Sequence, residues 1–406
     1  MRLAWVSPLP PIPSGIADYS AEILPVVAEH AEVDVFSPRS RRRALGESGV
    51  AVHAPRVFRR LADRYDAIFY HLGNNPHHDY VYMAARQRPG VAVFHDLVLH
   101  HLISYLFAEK TPNWQAYRAI LTEEHGETGE KLVSLRRRGL FTGLEHFLYP
   151  LNGHVARRAQ AIVVHSEDAR ELITEVAPDV PVTVVPHHAG APPPGVKSIT
   201  RNQARSRLGL PAEAFIVAHL GFLTFPKQPA AVLRGFARLV ERRSDALLLL
   251  VGQKQIPGYA LDGLIESLGL SRRVRKVGFV DLPSFYLYLK AADALVNLRY
   301  PSAGEASGTF ARALAEGRAV IVSEVGSFAR VPSDVVLKVG VDGDQEAQVG
   351  AHLIRLAENP DLIRTLEDRA RLYAATKLDQ RRCAELYLEV ARRVGGQPGT
   401  AFLEGP

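Results

Sequence analysis

One carboxylate, Glu305, stands directly before a loop of small residues, Ala306, Ser307 and Gly308, which leads into a predicted helix over 309–316 and a predicted buried strand over 319–323. A loop of this kind can lay its backbone N–H groups against a phosphate, because the first amides of a helix have no intrahelical acceptor and the helix dipole favours negative charge there. The carboxylate would repel that phosphate, yet it can accept hydrogen bonds from sugar hydroxyls one step further out. The pattern therefore fits a clamp for a sugar joined to a phosphate. It also fits an ordinary loop–helix–strand turn with a solvated glutamate, so other residues must decide.

Several candidates sit where a strand pattern gives way to a loop. The first strand pattern, 3–6, runs into SPLPPIPSGIADYS, which places Ser14 and Gly15 before a helix and lets the backbone approach a phosphate or sugar. His95 and Asp96 follow the apolar run at 91–94; the imidazole could hydrogen-bond a sugar hydroxyl or stabilise charge, and the aspartate could cap or hold a loop. His71, Asn74 and Asn75 close the preceding strand pattern and are candidates for the acceptor side. Lys227, in GFLTFPKQP, is a mobile point charge suited to a diphosphate, and Arg299 is a second candidate cation. The segment Val277 to Val280 could present backbone groups to a nucleobase. Histidine pairs at 77/78, 100/101 and 187/188 lack the i, i+4 spacing with an intervening glutamate, and adjacent histidines on a helix diverge, so no metal site is expected.

The elements that must position these residues alternate. Strand patterns at 3–6, 33–36, 67–71, 91–95, 161–165 and 182–185 are interleaved with helical ones, and a proline- and glycine-rich stretch at 186–197 reads as a linker. A second series follows, with strands at 216–221, 246–252, 274–277, 294–298, 319–323 and 335–339. The expected architecture is α/β: two facing Rossmann-like doubly wound domains with an interdomain cleft, spanning 1–192 and 193–378. A last helix at 380–393 is expected on the outside of the core, and the tail from Gly395 is expected to be unstructured.

At 406 residues with 47% apolar and 23% charged content, the chain has the composition of a folded protein with two cores, and no apolar run reaches the ~20 residues needed to span a bilayer. The single cysteine, Cys383, excludes an internal disulfide and fits a reducing compartment. A net charge of +6, from 49 basic against 43 acidic residues, suits phosphorylated substrates or an anionic membrane face and is too dispersed to argue for nucleic acid. The clusters Arg39 to Arg43 and Arg136 to Arg138 could touch lipid phosphates or simply be solvated. Secretion is not expected, and a cytoplasmic protein, with peripheral association at the inner face of a membrane left open, is.

In order and spacing, SPLPPIPSGIADY, FHD at 94–96, GFLTFPK at 221–227, and GEASGT with ALAEGRAVIVS resemble the retaining glycosyltransferases of family 4, which have the GT-B fold. The resemblance implies that the C-terminal domain binds a nucleotide-sugar donor, UDP- or GDP-linked, with no cofactor, and that the N-terminal domain binds a glycan, lipid-linked or small-molecule acceptor. It implies that Lys227 meets the diphosphate, Glu305 the transferred sugar, and the amides of Ser307, Gly308 and Thr309 the phosphates. Gly15 and His95 would approach that sugar from the first domain, and the final helix, within 379–406, would return to pack on it. Two positions depart from the family: Phe222 stands where an arginine is common, and Ala313 stands eight residues after Glu305, where a second glutamate often binds ribose, or Arg312 when that position is aligned from Gly317. The expected activity is hexosyl transfer; a sugar-nucleotide-binding scaffold, or an epimerase or hydrolase on the same architecture, are the rivals.

Overall fold

Strands that are apolar at every position need cover on both faces, and only a parallel sheet sandwiched by helices supplies it. AIVV at Ala161–Val164 and LLLLV at Leu247–Val251 are of this kind, and AIFYHL at Ala67–Leu72 is so but for His71. The computed structural model describes residues 1–38, 45, 48–253 and 261–396. These form two compact units, the first built from 1–188, 303–306 and the chain from 380 on, the second from 189–302 and 307–379. The basic run Arg39 to Arg43 and the tail from 397 lie outside the described residues, whereas Gly395 itself ends the last helix.

The first unit holds a seven-stranded parallel sheet: β1 (Arg2–Val6), β2 (Glu32–Phe36), β3 (Ala51–His53), β4 (Ala67–Leu72), β5 (Val91–Phe94), β6 (Ala161–Val164) and β7 (Val182–Val184), in the order β3-β2-β1-β4-β5-β6-β7. The second holds six: β8 (Ile216–Leu220), β9 (Leu247–Val251), β10 (Val274–Gly278), β11 (Ala294–Asn297), β12 (Ala319–Ser323) and β13 (Leu337–Val339), in the order β10-β9-β8-β11-β12-β13. Each sheet grows outward from its first strand in both directions. The chain therefore reverses its winding between β1 and β4 and between β8 and β11, and at such a switch point the loops diverge and leave a crevice beyond the strand ends. Both units are Rossmann-like.

Several elements went unread in the sequence, among them the helix Glu167–Val176. Strand β3 is a half-buried edge of three residues with no apolar run to announce it. The helix Pro360–Lys377 does carry a start signal, since Asn359 accepts a hydrogen bond from Leu362 N–H (3.0 Å) and proline opens the first turn. Within the stretch read as a linker, Pro194–Lys197 makes one helical turn. The last helix, Gln380–Gly395, belongs to the first unit, where Cys383, Tyr387, Leu388 and Val390 are buried and Tyr387 Oη lies 2.9 Å from Tyr19 Oη.

Beneath that helix the core of the first unit carries a seam of imidazoles. His165 Nδ1 faces the carbonyl of Val185 at 2.8 Å, and a carbonyl only accepts, so this nitrogen bears the proton. A neutral His165 then accepts through Nε2 from His95 Nδ1–H (3.0 Å), and His95 Nε2 in turn accepts from His71 Nδ1–H (2.9 Å). One tautomer is thus set for all three rings. The chain ends at His71 Nε2, a buried acceptor that meets no donor among the described residues. Trp5 stacks on His71 (centroids 4.2 Å, 28°), and Tyr19 meets His95 edge-on at 4.9 Å.

Burial keeps these rings neutral: it pushes His165 and His78 down to about 4, and it holds His71 and His95 well below the ordinary 6.5. Below 6.5 the unfolded chain therefore binds protons that the folded chain refuses, so stability is complete above 6.5 and is lost as pH falls toward 4. Urea unfolding across that window should show the loss, and His165→Gln should make it shallower by about 1.4 kcal/mol per pH unit. Parallel profiles for the two proteins would contradict the neutral chain.

Candidate functional site

In the second unit the candidate residues converge at the switch point between β8 and β11. Strand β8 leaves the sheet through Gly221, whose φ of +97° suits glycine. The chain then turns through the short 3-10 segment Phe225–Lys227 and Gln228, in the left-handed region at φ 53°, into the helix Pro229–Arg242. This loop is stapled to the one after β11: Tyr300 N–H donates to Pro226 O (2.7 Å) and Gln228 Nε2 to Tyr300 O (2.7 Å). The stapling brings the Lys227 ammonium back over the end of β8. A Cβ on Gly221 would stand 2.5 Å from Lys227 Nζ and 3.5 Å from Thr309 Oγ1.

The helix Gly308–Ala315 begins beside that lysine. Ser307 caps it, its Oγ accepting from Phe310 N–H at 3.2 Å, with Asn297 Nδ2 at 3.5 Å. The cap consumes one of the orphan amides. The N–H groups of Gly308 and Thr309 meet no acceptor among the described residues, as expected of a first turn. Arg299, buried after β11, is anchored by its N–H to Ser323 Oγ (3.0 Å) and by Nη1 to Leu298 O (2.9 Å). The field of this corner registers on His219, which burial, then Lys227 and Arg299, push down to about 3. Two lysine and arginine cations, a hydroxyl and the positive end of a helix share one strand-end crevice, which is what a phosphate-bearing ligand requires.

Sequence reasoning missed an aromatic pair in the same unit. Phe222, directly after Gly221, lies with its ring centroid 6.4 Å from that of Phe279, the planes 26° apart, and Phe279 is 61% exposed. The signal was available, because Phe222 stood out as a departure from the family and Phe279 lies in the segment read as a nucleobase contact. Ala313, the other departure, is fully buried in the core of this unit, so that position cannot face a ribose.

In the first unit Gly15 opens the helix Gly15–Ala28, and a Cβ there would meet nothing within 4 Å. Nothing in the packing demands glycine at that position, and the backbone faces open space. His95 differs from its expected role: both ring nitrogens are engaged by His71 and His165, so in this arrangement neither is available to a sugar hydroxyl. Asn74 and Asp96 brace the loops after β4 and β5. Asn74 N–H donates to Asp96 Oδ2 (3.0 Å), its amide Nδ2 to His101 Nδ1 (2.7 Å), and its Oδ1 accepts from Leu102 N–H (3.2 Å). Asn75 caps the turn Pro76–His78 by accepting from His77 N–H at 3.0 Å.

Glu305 was read with the second half of the chain, but 303–306 groups with the first unit. The carbonyl of Ala303 accepts from Leu97 N–H (2.8 Å), and Gly304, at φ +72°, lies so close to Leu97 that a Cβ would stand 2.7 Å from its side chain. Glu305 Oε2 accepts from Ala303 N–H at 2.7 Å, which folds the carboxylate back onto the backbone two residues before it. The loop is thus seated directly after the His95–Asp96 pair. Of the described residues, no group of three or more His, Cys, Asp or Glu side chains is arranged to hold a metal ion, and no helix is long and apolar enough to cross a membrane.

Residues 200–377 match the family of glycosyl transferases group 1. The chain is 32% identical over 245 residues to a D-inositol 3-phosphate glycosyltransferase of Thermobispora bispora, a match covering 56% of this chain and 55% of that protein. It is 22% identical over 247 residues to an alpha-monoglucosyldiacylglycerol synthase of Acholeplasma laidlawii, covering 59% and 61%. The chain thus spans about half the length of the first curated relatives it matches. Among solved structures, Anabaena Alr3699/HepE in complex with UDP and glucose has the same fold, with a TM-score of 0.67 over 98% of this chain and 100% of that one at 16% identity. The chain has the GT-B fold of two Rossmann-like units, and within it residues 200–377 are similar to the group 1 glycosyl transferases.

Proposed function

We propose that the protein is a retaining hexosyltransferase that moves a hexose from a UDP- or GDP-sugar to a hydroxyl of a glycan, lipid-linked or small-molecule acceptor, without a metal ion. The observation that carries this reading is the Lys227 ammonium folded over Gly221 beside Thr309 and the start of the helix Gly308–Ala315. That corner is built for a diphosphate: Lys227 and Arg299 supply charge, and the amides of Ser307, Gly308 and Thr309 supply oriented donors. Phe222 and Phe279 offer apolar faces for the base. Glu305 accepts from hydroxyls of the hexose, Gly15 leaves room for the reacting groups, and His95 acts through the orientation that its two histidine neighbours impose. The names of two relatives, an inositol-phosphate glycosyltransferase and a glucosyldiacylglycerol synthase, support a hydroxyl acceptor, a glycan or lipid-linked one among the options.

In the reaction the bond from the anomeric carbon to the diphosphate oxygen breaks and a bond to the acceptor oxygen forms on the same face. The acceptor proton passes to the departing phosphate oxygen, so no second carboxylate is needed. Charge grows on the leaving diphosphate, and donors already aimed at it stabilise the transition state without reorganising. Phe222 and the buried Ala313 favour a second reading, a sugar-nucleotide-binding subunit without turnover, because two ligand contacts common in the family are missing.

Calorimetry and thermal shift with UDP, GDP and their hexose conjugates, with and without divalent metal, separate these readings. Metal-independent binding of one nucleotide is expected, weakened about tenfold or more by Lys227→Ala, since a hydrogen bond to a charged group contributes about 1.5–3 kcal/mol. No binding by any of them would overturn the donor-site assignment. Phe279→Ala should weaken nucleotide binding about fivefold, the scale of one base–aromatic stack, with inorganic diphosphate binding unchanged; equal losses for both ligands would remove the base from that surface. Glu305→Gln should lower kcat about a hundredfold with little change in Tm, as for loss of a transition-state contact, and binding without product across a broad acceptor panel would favour the subunit reading.

A further inference from the structure

Four of the large apolar side chains that stand in solvent fall in one stretch of the first unit: Leu135 (41% exposed), Leu140 (61%), Leu144 (52%) and Leu148 (65%). The local backbone accounts for their placement. The helix Trp114–Arg137 closes on Gly139, in the left-handed region at φ +74°, with Gly139 N–H donating to Arg136 O and Leu140 N–H to Leu135 O, both at 3.0 Å. This paired closure turns the chain back and sets Leu140 next to Leu135. Gly143, at φ +91°, makes a second turn, and Leu148 N–H donates to Leu144 O (3.3 Å), so these two leucines share one face of the turn that follows.

The hairpin is held together by its polar groups. The Arg136 guanidinium lies 4.2 Å from the Phe141 ring centroid, donates to His146 Nε2 (3.3 Å) and pairs with Glu109 (2.7 Å). Thr142 donates from its N–H (3.0 Å) and its hydroxyl (2.8 Å) to the Glu145 carboxylate. Arg136, which the sequence offered as a lipid contact, is therefore taken inward, while Arg137 and Arg138 remain exposed at the base of the turn. The stretch carries three arginines against one glutamate, and that carboxylate already accepts from Thr142. Leucines held outward on a braced hairpin, with arginines beside them, match the layering of a lipid surface: acyl chains within, phosphates at the rim.

We propose that the hairpin 135–148 docks the protein on an anionic bilayer surface, with Leu140, Leu144 and Leu148 entering the acyl boundary and Arg137 and Arg138 meeting lipid phosphates. No helix among the described residues is long and apolar enough to cross that bilayer. This inference does not depend on the donor-site reading, because none of these residues belongs to the nucleotide corner.

Flotation with vesicles of phosphatidylglycerol and phosphatidylcholine, against phosphatidylcholine alone, tests it on the full chain. Wild type should float with the anionic vesicles, less with the neutral ones, and less at raised salt. The triple variant Leu140→Glu, Leu144→Glu, Leu148→Glu should partition about a hundredfold more weakly, given three partly buried leucines, and Arg137→Ala with Arg138→Ala about tenfold, at about 1 kcal/mol per residue. Both variants should keep the wild-type Tm, since the replaced side chains lie in solvent. Failure of wild type to float, or equal flotation of the triple variant, overturns the proposal. So does concentration-dependent self-association of wild type that the triple variant loses, which would assign the leucines to a second copy of the chain.

Discussion

The arrangement of the strand ends in the second unit follows from the close approach of two glycines, Gly221 and Gly252. A side chain at Gly221 would collide with the Lys227 ammonium, and a Cβ on Gly252 would stand 2.0 Å from the carbonyl oxygen of Gly221. Two adjacent strands, β8 and β9, therefore leave the sheet in contact, joined by the Gly221 N–H to Val251 O bond at 2.8 Å. That approach is open only to residues without a Cβ. It lets the loop after β8 fold down over the strand end, and only then can a lysine six residues later reach the start of a helix 81 residues further along the chain.

The first unit solves a different problem. Its crevice-side strands β4, β5 and β6 are followed at or near their ends by histidines, and three such rings packed together would repel if charged. They stay neutral and pass one hydrogen bond along, anchored at the Val185 carbonyl, which commits every ring nitrogen but His71 Nε2. The consequence for function is that His95 is a rigid part of a network, oriented by neighbours and covered by Tyr19. A histidine in such a chain contributes shape and a fixed dipole where an isolated one would contribute a proton. Seating of Gly304 against Leu97 then sets the Glu305 loop immediately beyond that network.

Much of the fold was legible because parallel strands and their covering helices announce themselves by period. β1, β2 and β4 to β13 were read within a few residues, and the proline–glycine stretch at 186–197 overlaps the point where the first unit gives way to the second at 188. Length does not explain every element that escaped, since the helix Pro360–Lys377 is 18 residues long. Strand β3 is half-buried on an edge, and its stability comes from pairing with β2. The exposure of the leucines at 135, 140, 144 and 148 follows from the turn geometry at Gly139 and Gly143.

The sequence by itself determined the class of chain: doubly wound α/β units, cationic and small residues after the right strands, and the motif order of a glycosyltransferase family. Residue type and local period carry that information, because helix starts, strand burial and glycine turns are short-range effects. Tertiary structure alone decided which candidates meet. Lys227 and Thr309 come together because β8 and β11 are neighbours at a switch point, and Glu305 belongs with Leu97 because a distant loop packs there. His95 lost both ring nitrogens to residues 24 and 70 positions away. Hydrogen-bond partners and close approaches depend on strand order and register, and no window of sequence contains them.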